Sequence, residues 1–65
     1  MRFYAIYLDH VQLKVFPFDP EYRERALTRA KQLAEGFAAT YGAHRVTIED
    51  SVGAIVYKPE GVDHA

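Results

Sequence analysis

The sequence contains no cysteine among its 65 residues, which excludes a disulfide-stabilised fold and any metal site built on thiolates. It also has no apolar run close to the roughly 18 residues that a membrane-spanning helix needs. Its first residues lack the long apolar core and the small-residue cleavage site of a signal peptide. We therefore expect a cytoplasmic protein that makes no membrane contact.

Motifs that carry chemistry are equally scarce. The histidines His10, His44 and His64 show no metal-ligand spacing. Ser51 is the single serine and has no nucleophile elbow around it, and the four glycines form no phosphate-binding loop. We therefore expect a protein that binds rather than catalyses, with no catalytic residue, no metal and no cofactor.

A strong excess of charge is missing as well, since the formal net charge is −1 at pH 7. A small nucleic-acid-binding domain is usually clearly basic, so we expect no direct contact with nucleic acid. A chain of this length buries only about 60% of the surface that it exposes when unfolded. Residues 1–65 should therefore form one domain whose core uses most of the apolar side chains, with residues 60–65 frayed.

Apolar and polar residues alternate over residues 3–16, which is the pattern of a β-hairpin. Asp9-His10 is not a favoured pair for a two-residue type I′ turn, so a bulge or a longer loop stays open. Residues 44–50 alternate in the same way, and a turn at Asp50-Ser51 with Gly53 close by leads into Ala54, Ile55, Val56 and Tyr57, which predicts a second hairpin. The side chains expected to face a helix are Ile6, Leu8, Val11, Leu13, Val15, Val46 and Ile48.

One helix is predicted from about Pro20 to Tyr41. Asp19 is the expected cap, Pro20 suits the first helical position, and Gly42 allows a left-handed ending. The order β-β-α-β-β predicts an α+β fold, in which a four-stranded antiparallel sheet has one helix packed on one face. The predicted apolar stripe of the helix consists of Tyr22, Ala26, Ala30, Leu33, Phe37 and Tyr41.

Two surface features suggest binding. Phe3, Tyr7 and Tyr57 should point away from the helix, and exposed aromatic residues are enriched in protein-binding surfaces, although they also serve simply to cover a small protein. Residues 49–65 carry four acidic residues against Lys58, which suits contact with a basic partner or a solvated tail. The four acidic residues are Glu49, Asp50, Glu60 and Asp63.

The second half of the chain resembles small phage-encoded anti-CRISPR proteins of the type I class. The residues that carry the resemblance extend from the helix to the last turn and cover about half of the chain. They are Leu27, Ala30-Lys31, Leu33-Ala34, Val46, Ile48-Glu49, Gly53, Tyr57-Lys58 and Gly61.

The resemblance implies a protein that acts in the host bacterial cytosol on the surveillance complex Cascade and stops it from binding target DNA. Some of these inhibitors grip the subunits that bear the guide RNA, a mode in which Lys31 and Lys58 would serve. Others present an acidic, DNA-mimicking face, in which Glu49 would serve. Gln32 stands where a second basic residue would favour the gripping mode. The resemblance leaves the CRISPR subtype and the contacted subunit open.

A different class of function also fits the sequence. A small phage or bacterial regulatory module would need the same features, and it would form a homodimer through a sheet edge or through the aromatic face. We therefore expect either a monomer or a weak homodimer.

Overall fold

Four antiparallel strands and one long helix make up residues 2–59, the part of the chain that the computed structural model describes. This confirms the predicted α+β class and element order. The predicted fraying of residues 60–65 lies outside the described residues. No helix in the described part is long and apolar enough to cross a membrane. The elements are β1 (Arg2–Leu8), β2 (Val11–Phe18), a 3-10 turn (Pro20–Tyr22), α1 (Arg23–Tyr41), a second 3-10 turn (Ala43–Arg45), β3 (Val46–Asp50) and β4 (Ile55–Tyr57).

The strands lie in the order β2-β1-β3-β4, so the first and third strands form the centre of the sheet. β1 pairs with β2 through the first hairpin and with β3 on its other side. The largest fully buried side chains are Ile6, Ile48 and Val46, all on these two central strands. The core is therefore centred on β1 and β3, while β2 and β4 form the edges.

The helix packs on the sheet through small side chains. Ala26, Ala30 and Ala34 repeat every four residues and are buried, so the helix backbone can lie close to the strands. Phe37 packs against the core as predicted, but Leu33 remains 36% exposed. The prediction for Leu33 is wrong because the stripe continues from Ala30 to Ala34, which turns Leu33 towards the edge of the contact.

The predicted burial of Tyr22 and Tyr41, at the two ends of the apolar stripe, is also wrong. Tyr22 and Tyr41 are about half exposed. Tyr22 belongs to the 3-10 turn that precedes α1, and Tyr41 is the last residue of the helix. Neither position lies over the centre of the sheet, where the buried alanines make their contact.

The hairpin of β1 and β2 contains a bulge. Ile6 pairs with Lys14 and Tyr7 pairs with Gln12, which leaves Leu13 as the extra residue. The bulge changes which side chains of β2 face the helix. Two-residue alternation in the sequence cannot reveal such a shift.

The predicted core residues of β2 are therefore wrong. Val15 pairs with Ala5, so it lies on the face of the sheet away from the helix, while Phe16 pairs with the buried Tyr4 and packs on the core. Val11 pairs with Leu8 and so keeps its predicted side of the sheet, but it is 60% exposed, and the bulged Leu13 is 41% exposed. Aromatic residues of β2 thus fill the space that was expected to hold its aliphatic ones.

The backbone groups at the two ends of the helix are satisfied in different ways. Asp19 has an extended backbone, but its side chain makes no capping hydrogen bond. Its carbonyl accepts the Tyr22 N–H at 2.8 Å, and the prediction of a side-chain cap is wrong because a 3-10 turn satisfies this end instead. At the other end Gly42 has φ +112° and donates its N–H to the Ala38 carbonyl at 2.9 Å, so the predicted glycine ending is confirmed.

Candidate binding surfaces

Within residues 2–59, the helix covers one face of the sheet and no other element covers the second face. The strand register assigns side chains to this second face, because directly paired residues share a face and neighbours along a strand alternate. Ala5 is fully buried there, which means that the side chains around it already cover its methyl group. We call this surface the open face; it comprises Phe3, Ala5, Tyr7, Gln12, Val15, Pro17, Thr47, Glu49 and Ile55.

The open face is mostly apolar. Phe3, Tyr7 and Val15 are partly buried, and Ile55 is 51% exposed. The Tyr7 hydroxyl donates a hydrogen bond of 3.2 Å to Gln12 Oε1. The register therefore agrees with the predicted outward direction of Phe3 and Tyr7, and the face combines an apolar surface with a few polar groups.

Tyr57 does not belong to the open face, so its predicted direction is wrong. Its hydroxyl donates to Glu35 Oε2 of α1 at 2.7 Å, and its ring packs against the core. The hydrogen bond to the Glu35 carboxylate, with some burial, raises the pKa of Tyr57. The cause of the difference is an irregular register, in which Ile48 pairs with Tyr57 and Glu49 pairs with Ile55.

The acidic residues predicted as a binding site do not form one patch in the described part of the chain. Glu49 and Asp50 are neighbours on β3, and neighbours on a strand point to opposite faces. Glu49 lies on the open face, whereas Asp50 Oδ1 accepts the N–H groups of Val52 at 3.1 Å and Ala54 at 2.9 Å. Asp50 thus holds the β3–β4 turn, and the predicted site residues Glu60 and Asp63 lie outside the described residues.

The predicted basic site residues lie near β4. Lys31 of α1 is partly buried and its Nζ is 5.1 Å from the centre of the Tyr57 ring, which is within the range of a cation–π contact. Lys58 follows Tyr57 directly and is exposed. Both lysines therefore lie near Tyr57 of the short edge strand, Lys31 against its ring and Lys58 directly after it in the chain.

Sequence reasoning missed a groove between β2 and the first half of α1. It has a volume of about 550 Å³ and is lined by aromatic side chains of β2 and by Arg25 and Arg29 of the helix. The two arginines are four residues apart, and this spacing places them on one helix face. Their spacing was visible in the sequence. The helix as a whole carries nearly equal numbers of acidic and basic residues, however, so its total charge does not indicate a local pair of arginines.

Nothing in the described part of the chain suggests a metal centre, because no three histidine or carboxylate side chains between residues 2 and 59 lie close enough to hold an ion. Compared with protein-family models, curated proteins and solved structures, the chain matches none. The contact surface of any proposed function is therefore inferred from the open face, the two lysines near β4 and the groove.

Proposed function

We propose that this protein inhibits a type I CRISPR effector by binding the surveillance complex Cascade and preventing it from binding target DNA. The observation that carries the proposal is the resemblance from Leu27 to Gly61 to small anti-CRISPR proteins of this class. That segment corresponds to most of α1 and to the second hairpin. The matched positions Ala30, Val46 and Ile48 are core residues, which fits a resemblance that extends to the fold.

The open face is the contact surface that we assign to this activity. It is a mainly apolar surface of a small domain, and Tyr7 and Phe3 supply the aromatic contact area that protein interfaces favour. Glu49 lies among these side chains and adds a single negative charge. A partner surface with an apolar centre and a basic group opposite Glu49 would be complementary in both shape and charge.

An extended acidic face that imitates DNA receives less support than a compact contact of this kind. Glu49 and Asp50 lie on opposite faces of the sheet, and Asp50 is used within its own turn. The alternative mode of contact with Cascade uses the basic residues Lys31 and Lys58, on the β4 side of the molecule. The two versions predict different sensitive residues, so mutations separate them.

The test is a gel-shift assay of target DNA with purified type I complexes, with and without this protein. We expect the protein to abolish the shift and Glu49→Lys to restore it. Loss of inhibition with Lys31→Glu and not with Glu49→Lys would assign the contact to the β4 side. If every complex tested binds DNA equally well in the presence of the protein, the proposal is wrong.

A regulatory module that forms a homodimer is the second candidate, and the exposed apolar side chains of the open face favour it. Ile55 is 51% exposed, and a second copy would cover it together with the partly buried Phe3, Tyr7 and Val15. Analytical ultracentrifugation of the protein alone distinguishes the two. A concentration-dependent dimer that Tyr7→Glu dissociates, together with no effect on any surveillance complex, would favour the regulatory module.

A further inference from the structure

The groove between β2 and α1 has two unpaired positive charges along one wall. Arg25 and Arg29 are both exposed, and between residues 2 and 59 neither lies within ion-pair distance of a carboxylate. Asp19 also lines the groove without pairing to either of them. An unpaired arginine presents a planar fork of donors that matches a carboxylate or a phosphate.

The opposite wall of the groove is an edge strand. Among residues 2–59, β2 has a neighbour on one side only, so the backbone groups on its other side have no partner within that sheet. Pro17 lies in this strand and has no N–H to donate, so an added strand would pair with the C=O groups and with the N–H groups of the other residues. Such an edge can accept an additional strand from another chain. Phe16 and Phe18 are partly buried there and Tyr22 is 49% exposed, which adds an apolar surface beside the edge.

We propose that this groove binds an extended acidic peptide segment of a partner protein, which adds a strand to β2 and places two carboxylates against Arg25 and Arg29. The spacing supports this occupant. Alternate residues of a strand are about 7 Å apart on one side, and side chains four apart on a helix are separated by about 6 Å. Acidic residues at alternate positions would therefore meet one arginine each, and an apolar residue at the next alternate position, on the same side of the peptide, would reach Phe18 and Tyr22.

A peptide fits the groove better than a nucleic acid does. A nucleic acid carries a negative charge at every nucleotide, so its charges would extend past the two arginines to the Asp19 carboxylate in the lining, whereas a peptide carries charge only at its acidic residues. The free edge of β2 presents backbone groups at the spacing of a strand, and an extended peptide has donors and acceptors at the same spacing, which a nucleic acid backbone lacks. This site is distinct from the open face, and the inference does not depend on the proposed inhibition of Cascade.

Fluorescence anisotropy tests the inference with a labelled seven-residue peptide that has one leucine and two glutamates at alternate positions and threonines between them. We expect saturable binding that weakens as salt is added, because exposed charges are screened. A peptide with glutamine in place of both glutamates should bind about tenfold more weakly or worse. Absence of saturable binding to the glutamate peptide would overturn the inference.

Charge-reversed variants locate the site. Arg25→Glu with Arg29→Glu should weaken binding of the glutamate peptide at least about tenfold. The matched control is Arg2→Glu with Arg23→Glu, which changes the net charge equally but alters two arginines outside the groove. Equal loss with both pairs would mean a non-specific charge effect and would refute the site.

Hydrogen exchange tests the added strand separately. Peptide binding should slow the exchange of backbone amides in β2, at the free edge, and leave those of β4 unchanged. Protection of β4 instead would contradict the inference, as would tighter binding of a labelled oligothymidine that the Arg25 and Arg29 variants abolish. A dimer in ultracentrifugation that the same variants dissociate would identify a second copy as the occupant and would also overturn the proposal.

Discussion

Arg45 binds Asp9 across 36 residues of sequence and so ties the first hairpin turn to the start of β3. Its Nε donates to Asp9 Oδ2 at 2.8 Å and its Nη2 contacts the same oxygen, while the Asp9 N–H donates to the Arg45 carbonyl at 3.0 Å. Asp9 and His10 both have positive φ values, 51° and 70°, which most residues avoid. The ion pair therefore stabilises a turn with an unfavourable backbone.

This contact predicts a pH-dependent contribution to stability. The hydrogen bond from Arg45, aided by its charge, lowers the pKa of Asp9 below its usual value. A carboxylate whose pKa is lower in the folded protein contributes stability above its unfolded pKa of about 3.9, and the contribution disappears as pH falls through the folded pKa. Arg45→Gln should lower the melting temperature at pH 7 and have little effect at pH 2.

Thermal melts followed by circular dichroism at both pH values check this prediction. Arg23→Gln is the control, since Arg23 has no ion-pair partner among the described residues. Added salt should also narrow the difference between the parent and Arg45→Gln at pH 7 because the pair is exposed. A difference that is the same at pH 2 and pH 7 would mean that Arg45 acts through its other contacts.

The sequence was sufficient for the class of the fold and for the central strands, because alternation around Ile6 and Ile48 is strong and the helix is long. It was insufficient where a local irregularity reverses a pattern. The bulge at Leu13 turns Val15 away from the helix, and the irregular pairing of β3 with β4 turns Tyr57 towards it. Such shifts result from tertiary packing.

The surfaces were predictable to a smaller extent. Tyr7 follows from strand alternation alone and lies on the open face. The pairing of Arg45 with Asp9 joins residues far apart in sequence, so no local spacing could indicate it. The groove at Arg25 depends in the same way on β2 lying beside the helix, which only the folded chain reveals.

The core predicts a clear order of mutational effects. Ile48 is fully buried, so Ile48→Ala should lower the free energy of unfolding by about 2–5 kcal/mol. Leu33 is 36% exposed at the edge of the helix contact, and Leu33→Ala should cost about 1 kcal/mol. Urea unfolding measures both, and a larger cost for Leu33→Ala than for Ile48→Ala would refute the alanine-based packing of the helix.

Two glycines near the end of the helix should respond to alanine in opposite directions. Gly36 lies inside α1, and a methyl group on its Cα would meet no atom outside the local helix backbone within 4 Å, so Gly36→Ala should stabilise the protein by about 0.5–1 kcal/mol. At Gly42, φ is +112° and an added Cβ would be 3.1 Å from His44 Cε1, so Gly42→Ala should destabilise it. Unfolding midpoints in urea that move in the same direction would contradict this assignment.

The neighbours Glu49 and Asp50 should separate binding from stability. The Asp50 carboxylate accepts two backbone N–H groups of its turn, and Asp50→Ala leaves both without that partner, which should cost roughly 1–2 kcal/mol. Glu49 makes no hydrogen bond or ion pair through its side chain in the described part of the chain, so Glu49→Gln should leave the melting temperature almost unchanged. On the proposed function, Glu49→Gln should nevertheless weaken inhibition of DNA binding.

Melting curves and the gel-shift assay on the same two variants decide between the roles. Asp50→Asn is the matched control for Asp50→Ala, since its amide oxygen can still accept the turn N–H groups and should retain most of the stability. If Glu49→Gln unfolds as readily as Asp50→Ala, Glu49 is a structural residue of the sheet and the open face loses its only charged contact. If Glu49→Gln is stable and inhibits as well as the parent, binding of the partner does not depend on the Glu49 charge, and the contact must lie elsewhere on the domain.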